Sequence, residues 1–299
     1  MTSPSDSTAS SDSTTSRPPY DLATADHDYP PWRGRPHNTI LICTHPRSGS
    51  TLLGEALYFA GGLGCPLEYF HAGFRPGLAA RWAAPGIDDY IRAVHGNRTG
   101  PDGLLAVKLF WRDVQELAQE VDPARFAVLD GALPEALSPA VYRDLAALLA
   151  TIFPAPTFVH LHRRDRLRQA ISALFASETG KWREIPESGS GKDGIVPRTE
   201  PGLDPEFDVE RLDRLIGYAD FCHGHWRNLF AAIGTAPHDV AYEQLITDYR
   251  HIVGGLFAEL GSNAEPPAIR MRRQADARSE AFVLRYLRER ATRPTDAAR

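Results

Sequence analysis

Thr39-Ile40-Leu41-Ile42-Cys43-Thr44-His45-Pro46-Arg47-Ser48-Gly49-Ser50-Thr51-Leu52-Leu53 is the stretch on which the fold turns. Its apolar start, Thr39–Cys43, reads as a buried strand. A short loop follows, carrying Pro46, Arg47, Gly49 and the hydroxyls of Ser48, Ser50 and Thr51. Helical spacing then begins at once, with Leu52, Leu53, Ala56, Leu57, Phe59 and Ala60. Strand, small-residue loop and helix start, in that order, build an anion site. The first N–H groups of a helix lack intrahelical partners, and the helix dipole is positive there. Gly49 lets the backbone approach an anion closely. Arg47 adds a full charge in a planar fork. The plainer reading is a helix cap by Ser50 or Thr51. The loop is not a nucleoside-triphosphate loop, because Ser50 stands where that motif needs Lys after its second Gly. It does not suit a Cys-based phosphatase either, since Cys43 lies on the strand.

Outward from this loop, strands and helices alternate. Candidate strands are Thr39–Cys43, Leu104–Phe110, Thr157–His162 and Asp239–Tyr242. Helical patterns cover Thr51–Ala60, Ile87–Gly96, Pro139–Ile152, Arg166–Glu178, Val209–Ile233 and Tyr249–Leu260. Alternation of this kind predicts an α/β fold, three layers deep, with a mostly parallel central sheet flanked by helices. Ligands then bind beyond the C-terminal strand ends. Arg47 follows the first strand, Lys108 sits near the end of the second, and Arg163 follows the third. Three cations therefore converge on one sheet edge.

A chain of 299 residues can bury one large core. A net charge of −5 gives no hint of nucleic-acid binding, so any phosphate recognition is local. No apolar run approaches a membrane span. Three cysteines, far apart in sequence, form no disulfide framework or zinc site, which fits a reducing cytoplasm. Heavy use of Ala, Arg and Pro is associated with GC-rich bacterial genomes. Residues 1–36 read as a disordered tail, with Tyr20, Tyr29 and Trp32 able to dock on the body. Residues 37–290 read as a single domain, and 291–299 as a loose end. Within the domain, 186–206 is rich in Gly, Ser and Pro. It reads either as a mobile lid on the acceptor side or as an ordinary insertion.

Two isolated charges stand out. Lys108 interrupts Leu104-Leu105-Ala106-Val107, and a buried ammonium needs an anion nearby. Alternatively it snorkels from an edge strand. Glu68 lies on a Pro-containing turn between Leu67 and Tyr69-Phe70. It is either a surface carboxylate or a general base set among apolar groups. His160 and His162 share one strand face, but a metal needs a third ligand and the spacing shows none, so no metal site is expected.

Arg47-Ser48-Gly49-Ser50-Thr51 after a first strand resembles the 5′-phosphosulfate loop of sulfotransferases that use PAPS (3′-phosphoadenosine-5′-phosphosulfate). Gly64-Cys65-Pro66-Leu67-Glu68-Tyr69-Phe70 is similar to a Gly-x-Pro-x-Glu-Phe-Phe segment of the bacterial trehalose 2-sulfotransferase family. His160-Leu161-His162-Arg163-Arg164-Asp165 with Gln169-Ala170-Ile171-Ser172 resembles another of its stretches. Arg273 to Glu280, with Arg285-Tyr286, resembles its C-terminal segment. The matches run in order from about residue 38 to 290.

The resemblance implies PAPS as donor and a hydroxyl on a small, sugar-containing acceptor. It implies that Arg47, Ser48, Gly49, Ser50 and Thr51 hold the 5′-phosphate. Arg163 and Ser172 would hold the 3′-phosphate, with Arg273 and Ser279 closing over it. Lys108 would contact the transferring group. In the wider family a His two residues beyond this Lys takes the acceptor proton; here Phe110 stands there. The closer family places its base at the position of Glu68, so Glu68, Arg47 and Lys108 form the implied catalytic set. This chain has Cys65 where that family has Glu, which leaves the acceptor open. Tyr69, Phe70, Trp111 and Trp182 are candidate platforms for a sugar ring. A homodimer is implied by the resemblance alone. Two other classes remain: a phosphotransferase, for which Asp113 and Asp130 are imperfect Mg²⁺ ligands, and a non-catalytic nucleotide binder.

Overall fold

A computed structural model describes residues 20–180, 182, 205–271 and 277–292. Four strands form one sheet: β1 (Asn38–Thr44), β2 (Leu104–Phe110), β3 (Pro156–His162) and β4 (His238–Ala241). Their spatial order is β2-β1-β3-β4 and every pairing is parallel. The helices are α1 (Ser50–Ala60), α2 (Arg75–Arg81), α3 (Ile87–Arg98), α4 (Trp111–Val121), α5 (Pro123–Phe126), α6 (Pro139–Ile152), α7 (Arg166–Thr179), α8 (Val209–Ile233), α9 (Tyr242–Thr247), α10 (Tyr249–Glu259) and α11 (Ala277–Thr292).

The strand pleat sorts the core into two layers. Leu41 and Cys43 of β1, with Leu105, Val107 and Leu109 of β2, point to one face and pack with α3, α4, α6 and α8. Ile40 and Ile42 point to the other and pack with α1 and α10. Both faces of the sheet are thus covered, as an all-parallel sheet requires. The α/β three-layer architecture read from the alternation is the one observed. A third cluster joins α7, α8 and α11 through Leu174, Leu212 and Val283.

Local differences from the expected elements have simple causes. Tyr242 leaves the fourth strand and opens α9. The amphipathic α4 begins at Trp111 directly after Phe110, with no turn residue to announce it. The expected tail 1–36 is shorter in its described part: residues 20–36 pack on the body. Leu22 and Ala23 are buried. Asp28 pairs with Arg81 at 2.9 Å and with Arg98 Nε at 3.0 Å, and Arg98 Nη1 donates to Leu22 O at 2.8 Å. Arg98 is fully buried, so its charge draws the segment in. Residues 1–19 and the proposed lid at 186–204 lie outside the described residues.

Candidate active site

The β1 loop is built by unusual backbone. Arg47 has φ of 65° and Gly49 a φ of 84°. Gly49 is the N-cap of α1, which has no side-chain cap among the described residues. The leading N–H groups of α1 are thereby left to an external acceptor. A Cβ on Gly49 would sit 2.8 Å from Tyr242 Cδ2. We expect Gly49→Ala to lower stability by about 1–2 kcal/mol through its left-handed backbone alone, and by more through the clash with Tyr242. Thermal melting checks the first effect, and nucleotide titration the accompanying loss of binding.

Side chains from β3 and α7 brace the loop. Gln169 Nε2 donates to Pro46 O and to Ser48 Oγ, both at 2.9 Å. Arg47 Nε donates to Ser172 Oγ at 2.9 Å, and its Nη1 to Trp182 O at 2.5 Å. Arg163 lies over the Tyr242 ring at 4.5 Å, and its Nη1 donates to Arg47 O at 3.4 Å. Glu243 accepts from the N–H groups of Arg164 and Asp165 at 3.0 Å, fixing the turn that carries Arg163. Burial, and then the charge of Arg163, pull the Arg47 guanidinium down to about 10. Two cations held together in this way form a site that favours an anion.

The second half of the site comes from β2. Leu67 makes a parallel bridge to Val107, and Lys108 N donates to Leu67 O at 3.0 Å. The turn after α1 is thus laid beside β2, which sets Glu68 against Lys108. Lys108 Nζ lies 2.8 Å from Glu68 Oε1. Both residues are buried, at 3% and 8% exposure, so water screens the pair little. Lys108 is therefore an internal charge with a partner rather than a snorkelling edge residue.

Near Glu68 the structure adds a residue that the sequence reading passed over. His71 N donates to Glu68 O at 3.1 Å, and the His71 ring meets Phe110 edge-on at 5.7 Å. His71 Nδ1 accepts from Gly73 N at 3.0 Å, so the neutral ring carries its proton on Nε2. An imidazole in that tautomer donates; it does not take a proton. A His three residues after Glu68 was visible in the sequence, but only the fold brings it to Phe110. Tyr242 and Glu243 were also unremarked; the rule that strand ends face ligands, applied to β4, would have found them.

Several expectations need correction. Tyr69, Phe70 and Trp111 are core residues, not ring platforms. Tyr69 OH donates to Cys65 O at 2.5 Å, Phe70 packs on Phe153 at 5.5 Å, and Trp111 stacks on His225 at 4.4 Å. Of the four aromatic candidates only Trp182 is exposed, at 39%. Cys65 is fully buried, with Sγ 3.3 Å from Arg98 Nη1. Ser279 lies in the first turn of α11, whose Glu280 pairs with Arg168 of α7 at 2.7 Å. Arg273 lies outside the described residues.

Among the described residues neither Asp113 nor Asp130 belongs to a group of three or more potential metal ligands. Asp130 is exposed, in the turn after a short 3-10 segment. Asp113 is buried at the start of α4 and accepts from Phe110 N at 3.2 Å. Burial pushes its carboxyl up to about 8, with Glu68 and Glu116 adding to the rise. The native state then holds a proton that the unfolded chain has released between about pH 4 and 8, so this group makes stability fall as pH rises through that window. Asp113→Asn is expected to remove that component. The variant should gain stability relative to the parent toward pH 8, by on the order of 1–3 kcal/mol. Denaturant unfolding at pH 5 and pH 8 checks it.

Comparison with known proteins follows this geometry. Two curated relatives are "Trehalose 2-sulfotransferase" of Mycobacterium tuberculosis, 29% identical over 274 residues, and "Trehalose 2-sulfotransferase" of Mycolicibacterium smegmatis, 27% identical over 281 residues. Each alignment covers 83% of this chain and 94% of the relative. The family described as "Stf0 sulphotransferase" matches residues 39–289, from the first strand to the last helix. With the loop, the paired Lys108 and Glu68 and the braced Arg163 all inside that span, the chain belongs to the Stf0 sulphotransferase family.

Proposed function

We propose that this chain moves the sulfuryl group of PAPS to a hydroxyl of a carbohydrate or glycosylated small molecule. The observation that supports the reading best is the placement of Arg47 and Arg163 around the β1 loop, beside a buried Lys108–Glu68 pair 2.8 Å apart. The residues present fit the donor. Gly49 caps α1 with no side-chain hydrogen bond to its leading N–H groups, which can hold a 5′-phosphate, and Ser48, Ser50 and Thr51 supply hydroxyls. Arg163 and Ser172, with Arg273 and Ser279, are the proposed 3′-phosphate contacts.

The reaction is an in-line displacement. Glu68 takes the proton of the acceptor hydroxyl as its oxygen bonds to sulfur. The bond between sulfur and the 5′-phosphate oxygen breaks, and PAP (3′-phosphoadenosine 5′-phosphate) leaves. Lys108 and Arg47 offset the negative charge that builds on the sulfuryl and bridging oxygens. Positioning by the braced loop supplies most of the rest. The donor tautomer of His71 leaves Glu68 as the base. Trp182 is the one exposed ring proposed to face the sugar. The names of the two curated relatives support a sugar acceptor. The reaction is placed in the cytoplasm, in keeping with Cys43, Cys65 and Cys222, which are free and buried. Among the described residues no helix is long and apolar enough to cross a membrane.

Calorimetric titration with PAP, AMP and Mg-ATP tests the donor. Tight PAP binding without metal, with weak AMP binding, supports it; preference for Mg-ATP sinks it. Labelled PAPS offered with trehalose and other sugars then tests the acceptor, and transfer to none of them refutes the carbohydrate reading.

A further inference from the structure

On the sheet face opposite Lys108, β3 and β4 bring three potential ligands together. His160 and His162 project from one face of β3, and Asp239 of β4 is the register partner of His160. Asp239 is the third donor that local spacing could not supply, because it lies 77 residues beyond His162. Asp239 Oδ1 lies 3.1 Å from His160 Nδ1, and its Oδ2 lies 3.1 Å from His162 Nε2. One ligand atom from each of the three residues can be chosen so that all lie within 4.8 Å of one another.

We propose that His160, His162 and Asp239 form a binding site for a divalent metal ion of the zinc class, separate from the sulfuryl-donor site. Zinc takes imidazole nitrogen and carboxylate oxygen at about 2.0–2.2 Å, which sets neighbouring tetrahedral ligands about 3.4 Å apart. The two 3.1 Å separations belong to different Asp239 oxygens; with one atom from each residue the three lie within 4.8 Å of one another, and side-chain rotation brings them to that spacing. Imidazole with a single carboxylate favours zinc and its transition-metal neighbours over magnesium or calcium.

The surroundings fit an occupant. The three residues open onto a cleft of about 380 Å³, lined also by His223, Arg166, Arg227 and Phe230, so a three-ligand centre keeps an open position. His223 is 1% exposed, and its Nε2 has no hydrogen-bond partner among the described residues. His223 also fits the outer shell of a metal site. Its Nδ1 lies 3.2 Å from His160 Nε2. When His160 ligates through Nδ1, its proton sits on Nε2 and donates to His223 Nδ1. The His223 proton then sits on Nε2. Each ring keeps one proton throughout, so the tautomers balance. Arg166 pairs with Asp220 at 2.8 Å, which offsets one of the two cations near the ion.

The experiment uses the full, untagged chain after chelator treatment. Zn²⁺ is titrated by calorimetry and Co²⁺ by visible absorption. The site binds one ion per chain, with cobalt absorption of low-symmetry coordination. Asp239→Asn and His162→Gln each weaken binding by more than about 100-fold, and His223→Ala weakens it by about 10–100-fold through His160. The Asp239 side chain is 57% exposed, so its amide variant is suited to fold. If a variant fails to fold, ring-nitrogen resonances of the unmutated chain serve: Zn²⁺ must shift those of His160 and His162. Absence of binding, binding that survives both ligand variants, or shifts confined to other histidines overturns the proposal.

Discussion

Glu68→Gln lowers turnover by about two to four orders of magnitude while PAP binding stays unchanged. The substitution keeps size and an acceptor oxygen for Lys108, 2.8 Å away, and removes the proposed proton acceptor. Glu68 lies on the turn bridged to β2, whereas the loop is braced by Gln169 and Ser172, so the proposed nucleotide contacts have no reason to change. The measurement is paired: single-turnover transfer from PAPS to the acceptor found by screening, and calorimetry with PAP. Near-normal transfer with intact PAP binding removes Glu68 from the mechanism. It would reopen the case for His71, whose ring meets Phe110 at 5.7 Å.

Lys108→Met carries the other large effect, and it is double. Removing one member of a buried pair strands its partner, here a carboxylate 8% exposed, at a cost of about 3–5 kcal/mol. In the proposed role of Lys108, offsetting charge on the sulfuryl oxygens, its removal costs about 10²–10³ in turnover. The double variant Lys108→Met, Glu68→Gln separates the two. It should recover most of the lost stability, because no stranded charge remains, and none of the activity. Denaturant midpoints for the four proteins of this cycle give the coupling directly. If the single Lys108 variant unfolds at the parent midpoint, the pair is not the desolvated one described here. If its turnover is normal, Lys108 has no part in the transfer.

Much of the site was readable because it is local. The residues of the β1 loop are contiguous, and their chemistry follows from strand, loop and helix in succession. Of the three cations that the strand-end rule gathered, Arg163 Nη1 reaches Arg47 O at 3.4 Å, while Lys108 pairs with Glu68. Aromatic residues were read less well. Tyr69, Phe70 and Trp111 looked like ring platforms because type alone does not distinguish a ring facing a ligand from one facing the core. The N-terminal segment was misread for a related reason: its anchor, Arg98, lies 70 residues downstream of Asp28, its partner at 3.0 Å.

The sequence by itself determined the α/β class and the strand, loop and helix in succession around Arg47–Thr51. These depend on periodicity and on the short range over which a loop joins a strand to a helix. Tertiary structure alone decided which charges meet. Lys108 finds Glu68 because a turn is bridged to β2, and Asp239 reaches His160 because β4 pairs beside β3 in one register. Such contacts depend on strand order and register, which are set by how whole faces bury against helices.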